Sequence, residues 1–165
     1  MAGRWTSSGA GNVSRIRREL EAISKLQTRV GWMESAKYPD GTPVAGAAVV
    51  QEYGSADGTI PPRSMMRSTQ AEKKSEWDNT MKKGFSAVLR GTRTSAQVME
   101  GLGLMAAGDV RKKITQIFDP PLATSTLKAR ARKAGPGAKV ISTKPLNDSG
   151  LMLATVTSVV IGGDE

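Results

Sequence analysis

The sequence predicts an α+β fold in which several helices pack against a small antiparallel sheet, with long loops or arms. Three observations predict it. Apolar residues recur at helical spacing from Val13 and again through the middle of the chain. A Val- and Thr-rich run from Leu151 to Ile161 and a short segment from Arg29 to Met33 read as strands, expected to pair antiparallel. Helices thus concentrate in the middle and strands towards the ends, which suits helices laid on one sheet.

Taken in order, residues 1–12 (MAGRWTSSGAGN) are Gly/Ser-rich and read as a flexible arm. Val13, Ile16, Leu20, Ile23 and Leu26 then mark one helical face. The Arg29–Met33 strand carries Trp32 as a packing residue, and Tyr38–Thr42 (YPDGT) is a turn. Val44–Val50 is a small-residue apolar run compatible with a short helix or a buried strand. Gly54 stops it with a left-handed backbone, Ser55–Thr59 is turn-like, and Ile60-Pro61-Pro62 forces an extended path.

Thr69-Gln70-Ala71-Glu72 fits a capping box, and Trp77, Met81, Phe85 and Val88 continue as a helical face that Gly91 ends. Thr94-Ser95-Ala96-Gln97 offers a second box. Val98, Leu102, Met105, Ile114 and Ile117 form the next face, running to Phe118. Gly101, Gly103 and Gly108 weaken that helix, and they either permit close backbone approach or mark a kink. Asp119-Pro120-Pro121 breaks the chain. Leu122–Lys133 contains a short basic helix with Leu127 on its apolar side, residues 134–139 a flexible link, and Lys144–Gly150 a second fixed turn. The expected organisation is a flexible arm over 1–12, a single α+β domain over 13–161 and a flexible tail over 162–165.

Composition narrows the chemistry. The chain has 165 residues, no cysteine and no histidine. Disulfides, thiolate chemistry and cysteine–zinc sites are therefore excluded, and the usual metal ligand and neutral-pH base are missing. No run of eighteen apolar residues predicts a membrane span, and the N-terminus lacks a signal peptide's apolar core, so production in a cytoplasm is expected. The carboxylates show no metal-ligand spacing. Glu52 is a candidate for a local ion pair or loop tie near Arg63. Asp148 beside Ser149 reads as a turn or helix cap, since no histidine completes a triad. The Gly101-Leu102-Gly103 segment has the wrong spacing for a dinucleotide fingerprint, and there is no P-loop. No catalytic residue, cofactor or metal is expected.

The formal charge is +9, and nine of the Lys/Arg residues fall between Arg111 and Lys144 against one acid, Asp119. Such a balance suits a nucleic acid, an acidic protein surface or a merely solvated basic face. Lys128, Arg130, Arg132 and Lys133 have little aromatic interleaving, so they suit phosphate contact better than base reading. Lys128 and Arg132 are four residues apart and share a helix face, whereas Arg130 points elsewhere.

Four segments in this order resemble a known family: VAGAAVVQEYG at 44–54, IPPRSMMR at 60–67, PPLATSTLKARARK at 120–133 and KPLNDSGLMLATV at 144–156. The combination resembles the tail-completion and neck proteins of tailed bacteriophages, often described as minor tail or virion morphogenesis proteins. Glu52, Tyr53 and Gly54 match the family's acidic–aromatic–glycine element. Ile60, Pro62 and Arg63 match its isoleucine–proline–arginine turn. Pro121, Leu122, Thr126 and Lys128 match its helix start, and Leu146, Asp148, Ser149 and Gly150 match the turn before its last strand. Ser64 and Met65 depart from the family's proline and aromatic, and Asn147 from its apolar residue.

The resemblance implies a non-enzymatic virion protein. It would form a ring, expected to be hexameric, at the head–tail junction or the top of the tail, completing the tail and joining it to the head around the DNA passage. Tail terminator and head-closure roles are the near alternatives, and a non-sequence-specific nucleic-acid-binding protein is the alternative of another class. The implied partners are further copies of the chain, neighbouring head-closure, tail-terminator or sheath proteins, and non-specific contact with genomic DNA, with no membrane.

Overall fold

A computed structural model describes residues 7–135 and 142–162. Among these described residues six helices and two strands run in the order α1 (Ser7–Lys25), β1 (Gln27–Trp32), α2 (Val44–Tyr53), α3 (Met66–Arg90), α4 (Ser95–Gln116), α5 (Thr124–Ala134), α6 (Leu151–Ala154) and β2 (Val156–Ile161). The strands pair as a small antiparallel sheet, and the helices pack against it, giving the α+β fold. Among the described residues, no helix is long and apolar enough to cross a membrane. The chain divides into two compact units. One comprises Met1–Val30, Ser75–Ala106 and Ser158–Glu165; the other comprises Gly31–Lys74 and Ala107–Thr157.

In the first unit, α1 begins at Ser7, so residues 7–12 of the expected arm are helical. Extending a nucleated helix fixes one residue per added hydrogen bond, and the apolar face from Val13 supplies the nucleus. The rest of that arm lies outside the described residues. Arg15 and Glu19, one turn apart on α1, hold two helix ends. The Arg15 guanidinium donates to the Val88 and Leu89 carbonyls at 2.9 Å each, at the C-terminal end of α3. The Glu19 carboxylate accepts from the Ser95 amide and hydroxyl at 2.7 Å each, at the start of α4. Each charge suits the partial charge of the helix end it meets. The Ser95 hydrogen bonds hold the Glu19 carboxyl below its usual value.

The second capping box forms as expected. The Thr94 amide donates to Gln97 Oε1 at 3.0 Å, and the Gln97 amide donates to Thr94 Oγ1 at 3.3 Å. Gly91 ends α3 at φ 77°. α4 is continuous through its three glycines, and Gly103 gives the close approach they permit. A Cβ there would lie 2.7 Å from Thr28 Cγ2 and 2.8 Å from Ser158 Cβ, side chains of the two strands. Nearby, Thr28 Oγ1 donates to the Met99 carbonyl at 3.0 Å.

In the second unit the buried apolar residues include Val44, Ala48, Met65, Val110, Ile114, Leu146, Met152 and Val156. Val44–Tyr53 forms a helix. The Tyr38–Thr42 turn closes through the Tyr38 amide on the Thr42 carbonyl at 2.8 Å and Gly41 at φ 84°. α4 stops at Gln116, short of the expected Phe118, ahead of the Asp119-Pro120 bond that disfavours helix in the residue before it. The run from Leu151 is not all strand. Leu151–Ala154 is a helical turn, and the strand starts at Val156. Leu, Met and Ala are good helix formers, and the β-branched residues begin only at Thr155. Trp32 Nε1 donates to the Met152 carbonyl at 2.8 Å and fixes that turn. Of the link at 134–139, Ala134 closes α5 and Gly135 follows at φ 78°; the remainder lies outside the described residues, as does the tail beyond Gly162.

Two alanine substitutions on α4 separate packing from propensity. Gly108 has open space at its Cβ position, so Gly108→Ala gains about 0.5–1 kcal/mol from helix propensity. Gly103→Ala has the same gain, but overpacking against Thr28 and Ser158 costs about 1–3 kcal/mol. The two variants should differ by about 2 kcal/mol in urea melts with unchanged m-values. Equal stabilities would rule out the close approach at Gly103.

Candidate functional site

The segments that carry the resemblance all lie in the second unit, and the first two of them meet at Glu52. This residue sits in the last turn of α2 and is 4% exposed. Its carboxylate accepts from the backbone amides of Met65, Met66 and Arg67 at 2.6, 2.8 and 3.1 Å. It also accepts from the Ser64 hydroxyl at 2.7 Å and from Arg67 Nε at 3.0 Å. The first amides of α3 have no partner within their own helix, so Glu52 caps α3 from a separate element. Burial alone would raise its pKa; the bonds from Met66, Ser64 and Arg67 outweigh that and bring it from 4.5 to about 2.

This geometry overturns one expectation. Thr69 does not cap a helix. It lies inside α3, and its hydroxyl donates to the Met65 carbonyl. The helix starts four residues earlier because Glu52 satisfies the amides that a local cap would otherwise serve. The local ion pair and loop tie expected of Glu52 does form, but its cationic partner is Arg67 and not Arg63; Arg67 also stacks over the exposed Tyr53 ring at 4.5 Å. The sequence carried no signal for this, because nothing local marks Met65 as the N-cap and Thr69 offered a complete box four residues on.

Gly54 takes φ 84°, and a Cβ there would lie 2.9 Å from the Ile60 carbonyl oxygen and 3.2 Å from Pro62 Cδ. The loop between them is closed by its own polar groups. The Ser55 amide donates to the Ile60 carbonyl at 2.9 Å, and the Ile60 amide to Ser55 Oγ at 2.8 Å. Asp57 accepts from the Ser55 and Thr59 hydroxyls and from the Thr59 amide, which bring its carboxyl down to about 2.

Arg63 is buried and has no carboxylate at ion-pair distance among the described residues. It donates instead to three neutral acceptors: the Pro120 carbonyl at 2.7 Å, the Pro121 carbonyl at 2.9 Å and Gln51 Oε1 at 3.0 Å. It thereby ties the proline break to α2, with Leu122 half-buried just beyond. Burial, and then the charge of Arg130, pull its pKa below the usual arginine value.

Arg130 is not part of an exposed basic surface, because its side chain is only 9% exposed. It donates to the Ser142 and Lys144 carbonyls at 2.7 and 2.9 Å and pairs with Asp148 at 3.2 Å. It gathers the returning chain into the turn in which Leu146 is buried. Lys133 also meets Asp148, at 3.5 Å, from an exposed position. Ser149 Oγ accepts from the Leu151 amide at 3.3 Å, and Gly150 takes φ 75° before α6. Of the turn or helix cap expected of Asp148 and Ser149, the turn forms, and Gly150 rather than either side chain occupies the N-cap position of α6. Thr126, Lys128 and Arg132 stay exposed on α5 and join neither cluster.

Between α2 and this turn lies an open cleft of about 200 Å³ lined by residues including Tyr38, Gln51, Arg130, Asp148 and Ser149. Gln51, which sequence reasoning did not single out, serves both the Arg63 tie and this cleft. Burial raises the Tyr38 phenol, and Asp148 and Asp40 add to that. Among the described residues no group of acidic side chains is placed to hold a metal ion. The chain matches no protein-family model, no curated protein and no solved structure.

The Glu52 cap generates a pH-dependent prediction. A folded pKa of about 2 against 4.5 unfolded means the carboxylate contributes stability above about pH 4.5, lost as pH falls through about 2. The shift corresponds to about 3 kcal/mol. Glu52→Gln should therefore lose about 2–3 kcal/mol near neutral pH and show a shallower decline between about pH 5 and 2 than the parent. Urea melts across that range decide it; a variant parallel to the parent at every pH would remove the cap from the stability account.

Proposed function

We propose that this chain is a structural subunit of a tailed-bacteriophage neck, completing the tail and joining it to the head as part of a ring. One observation supports this reading beyond the resemblance: the charged residues of the resembling segments are used to fix backbone. Glu52 caps a helix, Arg63 holds a proline break, and Arg130 with Asp148 holds a turn. A site built for turnover would direct such groups at a substrate. A subunit that must present fixed loops to neighbours directs them inward. Large apolar side chains remain outside, among them Val49 and Tyr53 one turn apart on α2, and Phe118. Such residues suit burial against a further subunit or a neighbouring neck protein.

A second reading, non-specific contact with nucleic acid, is favoured by Lys128 and Arg132, exposed and one turn apart on α5. Imaging of purified particles carrying a label on this chain tests the first reading. Ring-shaped density at the head–tail junction is expected, and absence of the chain from complete particles would overturn it. The Lys128→Glu, Arg132→Glu double variant separates the roles of the basic pair. Failed head–tail joining assigns it to an interface, and lost DNA retention in joined particles assigns it to the channel. The interface outcome is expected.

A further inference from the structure

In the first unit, α3 and α4 leave a cleft of about 390 Å³. Its floor is apolar, made by Ala87, Val98 and Leu102. Gly84 and Gly101 also line it; Gly84 lets α3 and α4 approach closely beside it, because a Cβ there would lie 2.4 Å from Val98 Cγ1. Lys83 and Arg93 line its rim, both exposed and neither with an ion pair or hydrogen-bond partner among the described residues. No carboxylate lines the cleft. The same unit carries the complement. Leu104 on α4 is 67% exposed, and Glu100, one turn earlier, is exposed on the same helix side.

We propose that a second copy of this chain seats Leu104 in this cleft and brings Glu100 against Lys83 and Arg93. The choice of a second copy rests on the ring reading; the choice of surface rests on charge complementarity and on an apolar floor. Phosphate contact alone would not use an apolar floor. Each copy offers both a projection and a cleft, so a contact from one copy to the next leaves one of each free. Such a heterologous contact repeats until a ring closes.

Sedimentation velocity on the full chain, over a range of concentration and salt, tests this. The parent should form oligomers that weaken with salt. Leu104→Asp and the Lys83→Glu, Arg93→Glu pair should each raise the apparent Kd by roughly tenfold or more. Leu104 is exposed, so its replacement leaves the core intact, and circular dichroism checks that each variant is folded. Mixing the two variants should give a heterodimer that grows no further, because one keeps the cleft and the other keeps Leu104. Adding Glu100→Lys to the Lys83→Glu, Arg93→Glu variant should restore oligomers. Parent oligomers unaffected by any of these changes would overturn this surface and leave the ring reading standing. A parent that stays monomeric throughout would overturn the self-contact, while particle imaging still tests the neck role separately. Loss of binding to a short DNA duplex in the Lys83→Glu, Arg93→Glu variant, with oligomers intact, would make the cleft a phosphate site and overturn the proposal.

Discussion

The Glu52 carboxylate is the interaction on which the arrangement of the second unit depends. A helix of the length of α3 leaves its first amides unpaired, and one buried carboxylate accepts from three consecutive ones. A buried carboxylate without such partners would be costly, and buried amides without an acceptor would be costly too. Placed together, each removes the other's penalty. The geometry this demands also fixes the intervening loop. Gly54 must turn immediately after α2, the Ser55–Ile60 loop must close on itself, and Arg63 must come back to Gln51. The Arg63 amide completes that return by donating to the Gln51 carbonyl at 2.6 Å.

The same device recurs in the first unit, where Arg15 serves the end of α3 and Glu19 the start of α4. In each case a charged side chain reaches the end of another helix, and its sign opposes the partial charge found there. This gives a chain with 4% aromatic residues a way to specify how its elements meet. Apolar contacts between small side chains are weakly directional, and a slide of one helix by a turn costs them little. A carboxylate bonded to three particular amides has one position.

What could be read in the sequence was what depends on neighbours in the chain. Thr94 and Gln97 form their box, Gly91 ends α3 and Gly54 turns the chain, because the groups concerned lie within a few residues. Val30 and Val159 fall in paired strands; a β-branched run marks the second, and the first carries only Thr28 and Val30. The Thr69 box had equally good spacing and does not form, since Glu52 reaches the earlier amides from 13 to 15 residues away. Arg130 looked like one more member of a basic run. Only the return of the chain at Ser142–Asp148 surrounds it with acceptors, and nothing local to α5 announces that return.

The distinction between charge and contact bears on how the basic surface works. Hydrogen bonds from Arg63 and Arg130 to carbonyls consume their donors but do not neutralise them. The net charge of +9 therefore still sets the long-range field. The groups able to touch a neighbour are a smaller set. Arg130 and Lys133 share Asp148, and Lys113 meets Glu72. Lys112, Lys128 and Arg132 are exposed and have no such pair among the described residues. Attraction of any acidic surface would thus be set by the whole chain and screened by salt, whereas direct contacts would fall to a few side chains. Buried arginines raise the field without competing for the partner's acceptors, so attraction and docking specificity are carried by different residues.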